Sequence, residues 1–307
     1  MIDILSKRYL YFAISLLVII PGLIMLGVRG LPLAIDFTGG SMLELKFESG
    51  RPLTNTEIIR LYEDAGINDA QVQTTDRGTM LIRSSVLTID TRRTILNELQ
   101  AQSGGEVTLL REDSVGPSIG AAVTSRAALA VAVAALAVVI YITYAFRKVP
   151  NASRYGVCAI IAMIHDVAVV FSIAGFGAYF FDWQIDSLFL TALLTVIGFS
   201  VQDKVVVFDR IRENSNVLRR LEYETLVNHS IVQTLQRSIN TQLMTVEFLL
   251  LALALFGGIT LQEFAVILLV GLFSGTYSSI FIAAPILVLW EKQEWKSWFG
   301  RGAAAQS

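Results

Sequence analysis

Three stretches of this chain run without a charged residue: Tyr9–Val28 (20 residues), Ala127–Phe146 (20 residues) and Phe264–Trp290 (27 residues). About 20 consecutive apolar residues are what a helix needs to cross a hydrocarbon core. Inside that core every backbone polar group must be satisfied within the segment, so each run is constrained to be helical. Three more apolar stretches carry isolated charges, at about Tyr155–Phe176, Ser187–Phe208 and Ser238–Gly257. The expectation is six transmembrane helices. Composition agrees, with 54% apolar residues, 16% charged and a mean hydropathy of +0.60, against about 25% charged for a soluble domain. A net charge of −2 and a single cysteine, Cys158, exclude a soluble nucleic-acid binder, and a disulfide scaffold or thiolate metal site made by this chain alone. The first apolar run is longer than the 7–15 residues of a signal peptide and no A-x-A site follows, so it reads as a span.

Orientation follows from Lys and Arg near the span ends. Lys7, Arg8, Arg147, Lys148, Arg154, Arg210, Arg212, Arg219, Arg220, Lys292 and Lys296 would share one side, whereas the short loops at Asp182–Asp186 and Gly257–Glu263 contain neither residue. The positive-inside rule then puts both termini in the cytoplasm. Trp183, Trp290, Trp295 and Trp298 all fall at expected interfaces. Four blocks result: 1–28 (N-terminus and first helix), 29–122 (an extracytoplasmic domain), 123–290 (five helices, with a cytoplasmic loop at about 209–237) and a tail, 291–307.

Block 29–122 has soluble composition, with thirteen acids and nine bases. Ser41–Phe47 alternates like a strand. Thr54–Gly66 reads as a helix capped by Thr54 or Thr56 and ended by Gly66. Ala70–Thr74 and Thr79–Ser84 flank Asp-Arg-Gly as a hairpin. A second helix near Ile89–Gln102 and a strand near Glu106–Arg111 complete a β-α-β-β-α-β order, which is ferredoxin-like. With no His, no Cys and no glycine-rich phosphate loop, the block reads as a docking or binding module.

Ionisable groups at bilayer depth are expensive and mark function by default. They are His165, Asp166, Asp203, Lys204 and Glu247, with Arg237 at the mouth of the fifth span. At about 1.5 Å per residue, Asp203 lies roughly 9 Å from the cytoplasmic edge and Asp166 and Glu247 roughly 15–18 Å. Asp203 and Arg237 then share a depth on consecutive helices, where a charge-assisted bond would offset desolvation. The alternative for Arg237 is a snorkelling anchor, and for His165 a hydrogen-bonded packing residue. Lys204 reads either as a snorkelling cation or as the partner that keeps Asp203 ionised. The set forms a candidate ladder for protons. An intramembrane aspartyl protease would need G-x-G-D, where this chain has Ser200-Val201-Gln202-Asp203. Gly271-x-x-x-Gly275 and the alanines of the second span allow close helix packing, and Asp209–Gln236 is expected to lie along the membrane surface.

Five motifs in order then carry a resemblance: Asp36-Phe37-Thr38-Gly39-Gly40; Val115-Gly116-Pro117-Ser118-Ile119-Gly120; His165-Asp166; the run from Val205 to Asn214; and the run from Gln233 to Thr241. The chain resembles, nearly end to end, the SecF branch of the SecD/SecF family, protein-export membrane proteins of the resistance–nodulation–division superfamily. The resemblance implies no bond-making chemistry, no cofactor and no metal. It implies a heteromeric complex with SecD in a pseudo-symmetric bundle, work beside the SecYEG channel with YajC and YidC, a preprotein as substrate and the proton-motive force as drive, all in the inner membrane. It assigns proton coupling to Asp203 and Arg237. A small-molecule or lipid exporter of the same superfamily is the alternative, but such exporters carry about twelve helices in one chain. This chain departs from the family at Gln202 and Lys204, around the critical Asp, and at Gln242 and Met244. It also adds Glu247, expected to compensate Lys204 electrostatically.

Overall fold

The computed structural model describes residues 3–74, 78–147, 152–242 and 248–294. In chain order the elements are α1 (Arg8–Arg29), α2 (Ile35–Thr38), β1 (Gly40–Phe47), α3 (Asn55–Asp64), β2 (Gln71–Thr74), β3 (Thr79–Ser84), α4 (Ile89–Ser103), β4 (Val107–Val115), α5 (Pro117–Phe146), α6 (Ala152–Phe181), α7 (Ser187–Val217), α8 (Tyr223–Gln242), α9 (Phe248–Phe256), α10 (Ile259–Ser278), a π-helical segment (Ser279–Ala283) and α11 (Ala284–Glu291). Two compact units emerge, one made of residues 1–31, 130–183 and 188–307, the other of 32–129 and 184–187.

The first unit is helical. Among the described residues five helices are long and apolar enough to cross a membrane: Leu5–Arg29, Pro117–Phe146, Ala152–Phe181, Ser187–Val217 and Leu261–Glu291. The chain is thus a multi-pass membrane protein. The expected span at Ser238–Gly257 falls on the end of α8, on residues 243–247, which lie outside the described set, and on α9. Val133, Leu136, Ile140 and Tyr144 form an exposed stripe along α5, a surface suited to lipid rather than water. Where α1 meets α6, Gly22 and Gly175 bring the backbones together, since a Cβ at either would overlap the opposite helix. Beside Pro21, which cannot donate a helix bond, the Ser172 hydroxyl donates to the Val18 carbonyl at 2.7 Å.

The segment expected to lie along the membrane surface is different. The helices α7 and α8 extend toward each other until only residues 218–222 separate them. Ion pairs of i,i+3 spacing, Asp209–Arg212 and Arg210–Glu213, run along the exposed side of α7, while Ile211, Leu226 and Ile231 are buried. The charges that suggested a loop are the outer face of an antiparallel helix pair.

The second unit is a four-stranded antiparallel sheet of order β2-β3-β1-β4, backed by α3 and α4. Leu43, Leu45, Met80 and Ile82 alternate into a core closed by Ile58, Leu61, Tyr62, Ile95 and Leu99. Thr54 and Glu57 form a reciprocal capping box at α3, and Thr88 caps α4. The hairpin tip at residues 75–77 lies outside the described set. Strand β4 runs four residues past its expected end at Arg111, because a bulge at Glu44/Leu45 shifts its register on β1. That shift hides the pairing of the polar run Arg111–Ser114 from any alternation argument.

Candidate functional site

Inside the helical unit a set of buried polar residues gathers around Asp166 on α6. Its carboxylate is 1% exposed and is met by the fully buried ammonium of Lys204, with Nζ 2.6 Å from Oδ2. Ser278 donates to the same oxygen at 2.7 Å and Ser274 to Oδ1 at 2.8 Å. Ser200 also donates to Oδ2, and His165 Nδ1 lies 3.1 Å from Oδ1. The ammonium in turn donates to the Ser200 hydroxyl and, at 3.1 Å, to the Ser200 carbonyl. An ionised carboxylate has about four lone-pair sites and an ammonium three donors, so both ions are saturated. A buried pair persists only under that condition.

Asp203, one residue earlier on α7 and half-buried, faces a different neighbourhood. Ser238 on α8 donates to Oδ1 at 3.0 Å and Ser279, the first residue of the π-helical segment, to Oδ2 at 3.3 Å. A cavity of about 40 Å³, lined by Phe199, Gln202, Asp203, Thr241, Gln242 and Leu272, opens beside it. That is space enough for a water molecule. The consecutive serines Ser278 and Ser279 therefore hold the two aspartates, one each, where the helix from Ile259 onward widens into π geometry. Such single-turn π segments recur at functional sites.

Two expectations are corrected. The direct Asp203–Arg237 ion pair is not formed: among the described residues no ion pair within 4.0 Å joins them, and Arg237 is exposed. Nor does Lys204 pair with its neighbour Asp203 or snorkel; it pairs with Asp166. One rule explains both. Helix side chains lean toward their own N-terminus. Lys204 thus reaches one turn back, to Ser200 and Asp166, deeper into the bundle. On the antiparallel α8 the same lean carries Arg237 the other way, toward Tyr223. Glu247, expected to balance Lys204, and Met244 lie outside the described residues; the charge of Lys204 is met by Asp166. Gln242, the other departure, ties α8 to α10, donating to the Leu272 carbonyl at 3.1 Å and accepting from Thr276.

Ser200, Ser274 and Ser278 were missed by sequence reasoning. A signal exists: Ser200/Lys204 and Ser274/Ser278 are both i,i+4 pairs within largely apolar stretches of their helices, which puts each pair on one face. The motif from Val205 to Asn214 and that from Gln233 onward meet as well. Arg210 Nε donates to Gln233 Oε1 at 2.6 Å, and Asn214 Nδ2 donates to Gln233 Oε1 at 3.0 Å and to Ser230 at 2.8 Å.

In the second unit, Asp36-Phe37-Thr38-Gly39-Gly40 packs on Gly116–Gly120. Gly39 has φ +76°, and a Cβ there would sit 2.8 Å from Pro117 Cα; one on Gly120 would sit 2.7 Å from Gly39 N. Thr124 donates to the Phe37 carbonyl at 3.0 Å, and Asp36 Oδ2 accepts from the Ser187 N–H at 2.9 Å. Leu33 and Ile185 form a parallel bridge. The motif is a backbone junction between segments distant in sequence, with Asp36 satisfying one of the orphan N–H groups where α7 begins.

At one end of the helical unit, Arg8 pairs with Glu224 at 2.6 Å and Glu294 at 2.8 Å, Lys292 with Glu222 at 3.0 Å and with Glu224, and Arg154 with Glu291. The Lys292 and Arg8 cations hold the Glu224 carboxyl below its usual value, and the same glutamates raise Lys292.

Residues 95–293 match the family described as protein export membrane protein SecD/SecF, C-terminal, and residues 24–50 match the SecD/SecF GG motif. The chain is 66% identical over 307 residues to the protein translocase subunit SecF of Anaerolinea thermophila, covering 100% of both chains. It is 45% identical over 314 residues to the SecF subunit of Thermobaculum terrenum, covering 98% of each. Against the crystal structure of SecDF, a translocon-associated membrane protein from Thermus thermophilus, the TM-score is 0.82 at 32% identity, over 95% of this chain and 39% of that one. This chain therefore spans about two fifths of the solved chain that it matches.

Proposed function

The chain belongs to the SecD/SecF family of protein-export membrane proteins and is a protein translocase subunit on the SecF side; from that premise we propose that it works with SecD to pull preproteins across the inner membrane, driven by the proton-motive force. Its resemblance to one part of a longer SecDF chain supports a complementary SecD half. SecYEG would supply the emerging preprotein, with YajC and YidC as further neighbours. In this reading residues 29–122 form the extracytoplasmic domain, a ferredoxin-like module by its β-α-β-β-α-β order and antiparallel 2-3-1-4 sheet. Six helices span the bilayer, the sixth supplied by about Ser238–Gly257. Gathering of Arg8, Arg154 and Lys292 at one end of the bundle supports both termini being cytoplasmic. Relatives with full-length coverage are translocase subunits, which favours export of protein over export of small molecules or lipids.

The observation that carries the mechanism is the Asp203 carboxylate suspended between Ser238 and Ser279. An ionised carboxylate accepts from both hydroxyls. Once protonated, it gains a donor and its protonated oxygen becomes a weaker acceptor, so one serine contact is weakened. The link from α7 to α8 or to the π segment then loosens, a local charge change biasing a two-state element. Arg237, exposed on α8 one residue before Ser238, sets the field that favours the ionised form and its return. One proton moving through 100 mV releases about 2.3 kcal/mol, comparable to one or two hydrogen bonds to a charged group. In proteoliposomes with SecYEG and SecD, Asp203→Asn and Arg237→Ala should each abolish proton-driven export while the complex still assembles. Near-normal export by both variants would refute the assignment.

A further inference from the structure

Lys204 takes no part in the export reading, which rests on Asp203 and Arg237. Its surroundings have the composition of an ion site: a carboxylate oxygen, a hydroxyl and a backbone carbonyl converge on Nζ, and two more hydroxyls, of Ser274 and Ser278, bond the same carboxylate. These are oxygen ligands on four turns of three helices, all buried. Membrane transport proteins use carboxylates and backbone carbonyls near the bilayer midplane for small cations. Here the cation is covalently attached, on a side chain that the lean of α7 delivers to the spot.

We propose that Lys204 is a tethered counter-ion occupying a monovalent-cation site built by Asp166, Ser200, Ser274 and Ser278, so that this site cannot exchange ions in the wild-type chain. The groups that face it are Lys204 and Ser200 from α7, Ser274 and Ser278 from α10, and His165 from α6 itself. Among the described residues none of them brings a second carboxylate, so the ammonium is what balances the Asp166 carboxylate, and its removal leaves that carboxylate without a counter-charge. Loss of the ammonium leaves a buried anion among oxygen donors with room for a small cation. The proposal is independent of the role assigned to Asp203, because its readout is cation binding rather than export.

The test uses the full chain purified in detergent, with thermal unfolding followed at fixed pH and fixed ionic strength as NaCl or LiCl replaces choline chloride. The wild-type midpoint should not distinguish sodium from choline. Lys204→Ala should respond to sodium or lithium, with a rise of roughly 5–10 °C when the salt reaches a hundred times its Kd. The neutral pair Lys204→Ala with Asp166→Asn should lose that response. If Lys204→Ala cannot be purified without sodium but can with it, the proposal stands. It is overturned if the variant is indifferent to all three salts, or fails to fold in each of them while the neutral pair folds. A sodium-specific rise in the wild type that Asp166→Asn removes would overturn it too.

Discussion

Replacing Lys204 by Met keeps most of the side-chain volume and removes the charge, which isolates the electrostatic part of the Asp166 site. At 2.6 Å and an effective dielectric constant of about 20, the gross attraction is about 6 kcal/mol. Desolvation of two ions that are 0% and 1% exposed offsets much of it. The net of making the pair is therefore small, whereas breaking it by removing one partner costs about 3–5 kcal/mol. Lys204→Met and Asp166→Asn should each lower the unfolding midpoint by roughly 10 °C, at about 2–4 °C per kcal/mol for a chain of this class. The double variant should return to within about 1–2 kcal/mol of wild type, giving a coupling energy of about 3 kcal/mol or more. Cys158, free and buried in α6, reports unfolding when it reacts with a thiol-sensitive dye. Additive single effects, or single losses below about 1 kcal/mol, would refute the idea that the two charges depend on each other.

Three further outcomes are expected. The Tyr62 hydroxyl is buried without a hydrogen-bond partner among the described residues, and burial pushes its pKa up; Tyr62→Phe should therefore stabilise the chain by about 1 kcal/mol in denaturant or thermal melts. Gly39→Ala introduces a Cβ against the Pro117 backbone at a positive φ, and should cost about 2–4 kcal/mol from strain and overlap together. Glu224 has a folded pKa below its unfolded 4.5, so its contribution is complete above that value and is lost as pH falls through the folded pKa. Stability of wild type should thus decline below about pH 4.5, and Glu224→Gln should flatten that limb in a series of melts against pH. Lys292, raised above 10.5, has the opposite sign, its contribution being lost only as pH climbs through its folded value.

Most of the local structure was legible because it depends on local rules. Charge-free runs of bilayer length leave the backbone no alternative to helix. In the second unit the capping box at Thr54, the cap at Thr88 and the alternation in β1 and β3 mark their elements within a residue or two. Where the reading fell short, a long-range partner was responsible. The end of β4 depends on a register shift against β1 that leaves Leu110 as the extra residue, and the outer ends of α7 and α8 on the faces that they bury against each other. Asp36-Phe37-Thr38-Gly39-Gly40 announced a turn in the sequence. Its role as a junction needs Pro117, Gly120 and Ser187, which no local rule brings together.

The intramembrane charges divide in the same way. Sequence alone determined that Asp166, Asp203 and Lys204 sit inside apolar helices, because a charge in such a run has nowhere else to go. Helical rise also spaces their Cα atoms along their own helix axes. It did not determine which charge meets which. A lysine reaches about one turn from its own Cα, in a direction set by the polarity of its helix, and around the axis by the face it presents to neighbours. Antiparallel α7 and α8 send Lys204 and Arg237 apart, and packing of α6, α7 and α10 closes three serines on Asp166. Tertiary structure thus made Asp166 the anchor of a fixed ion pair and left Asp203 between the hydroxyls of Ser238 and Ser279.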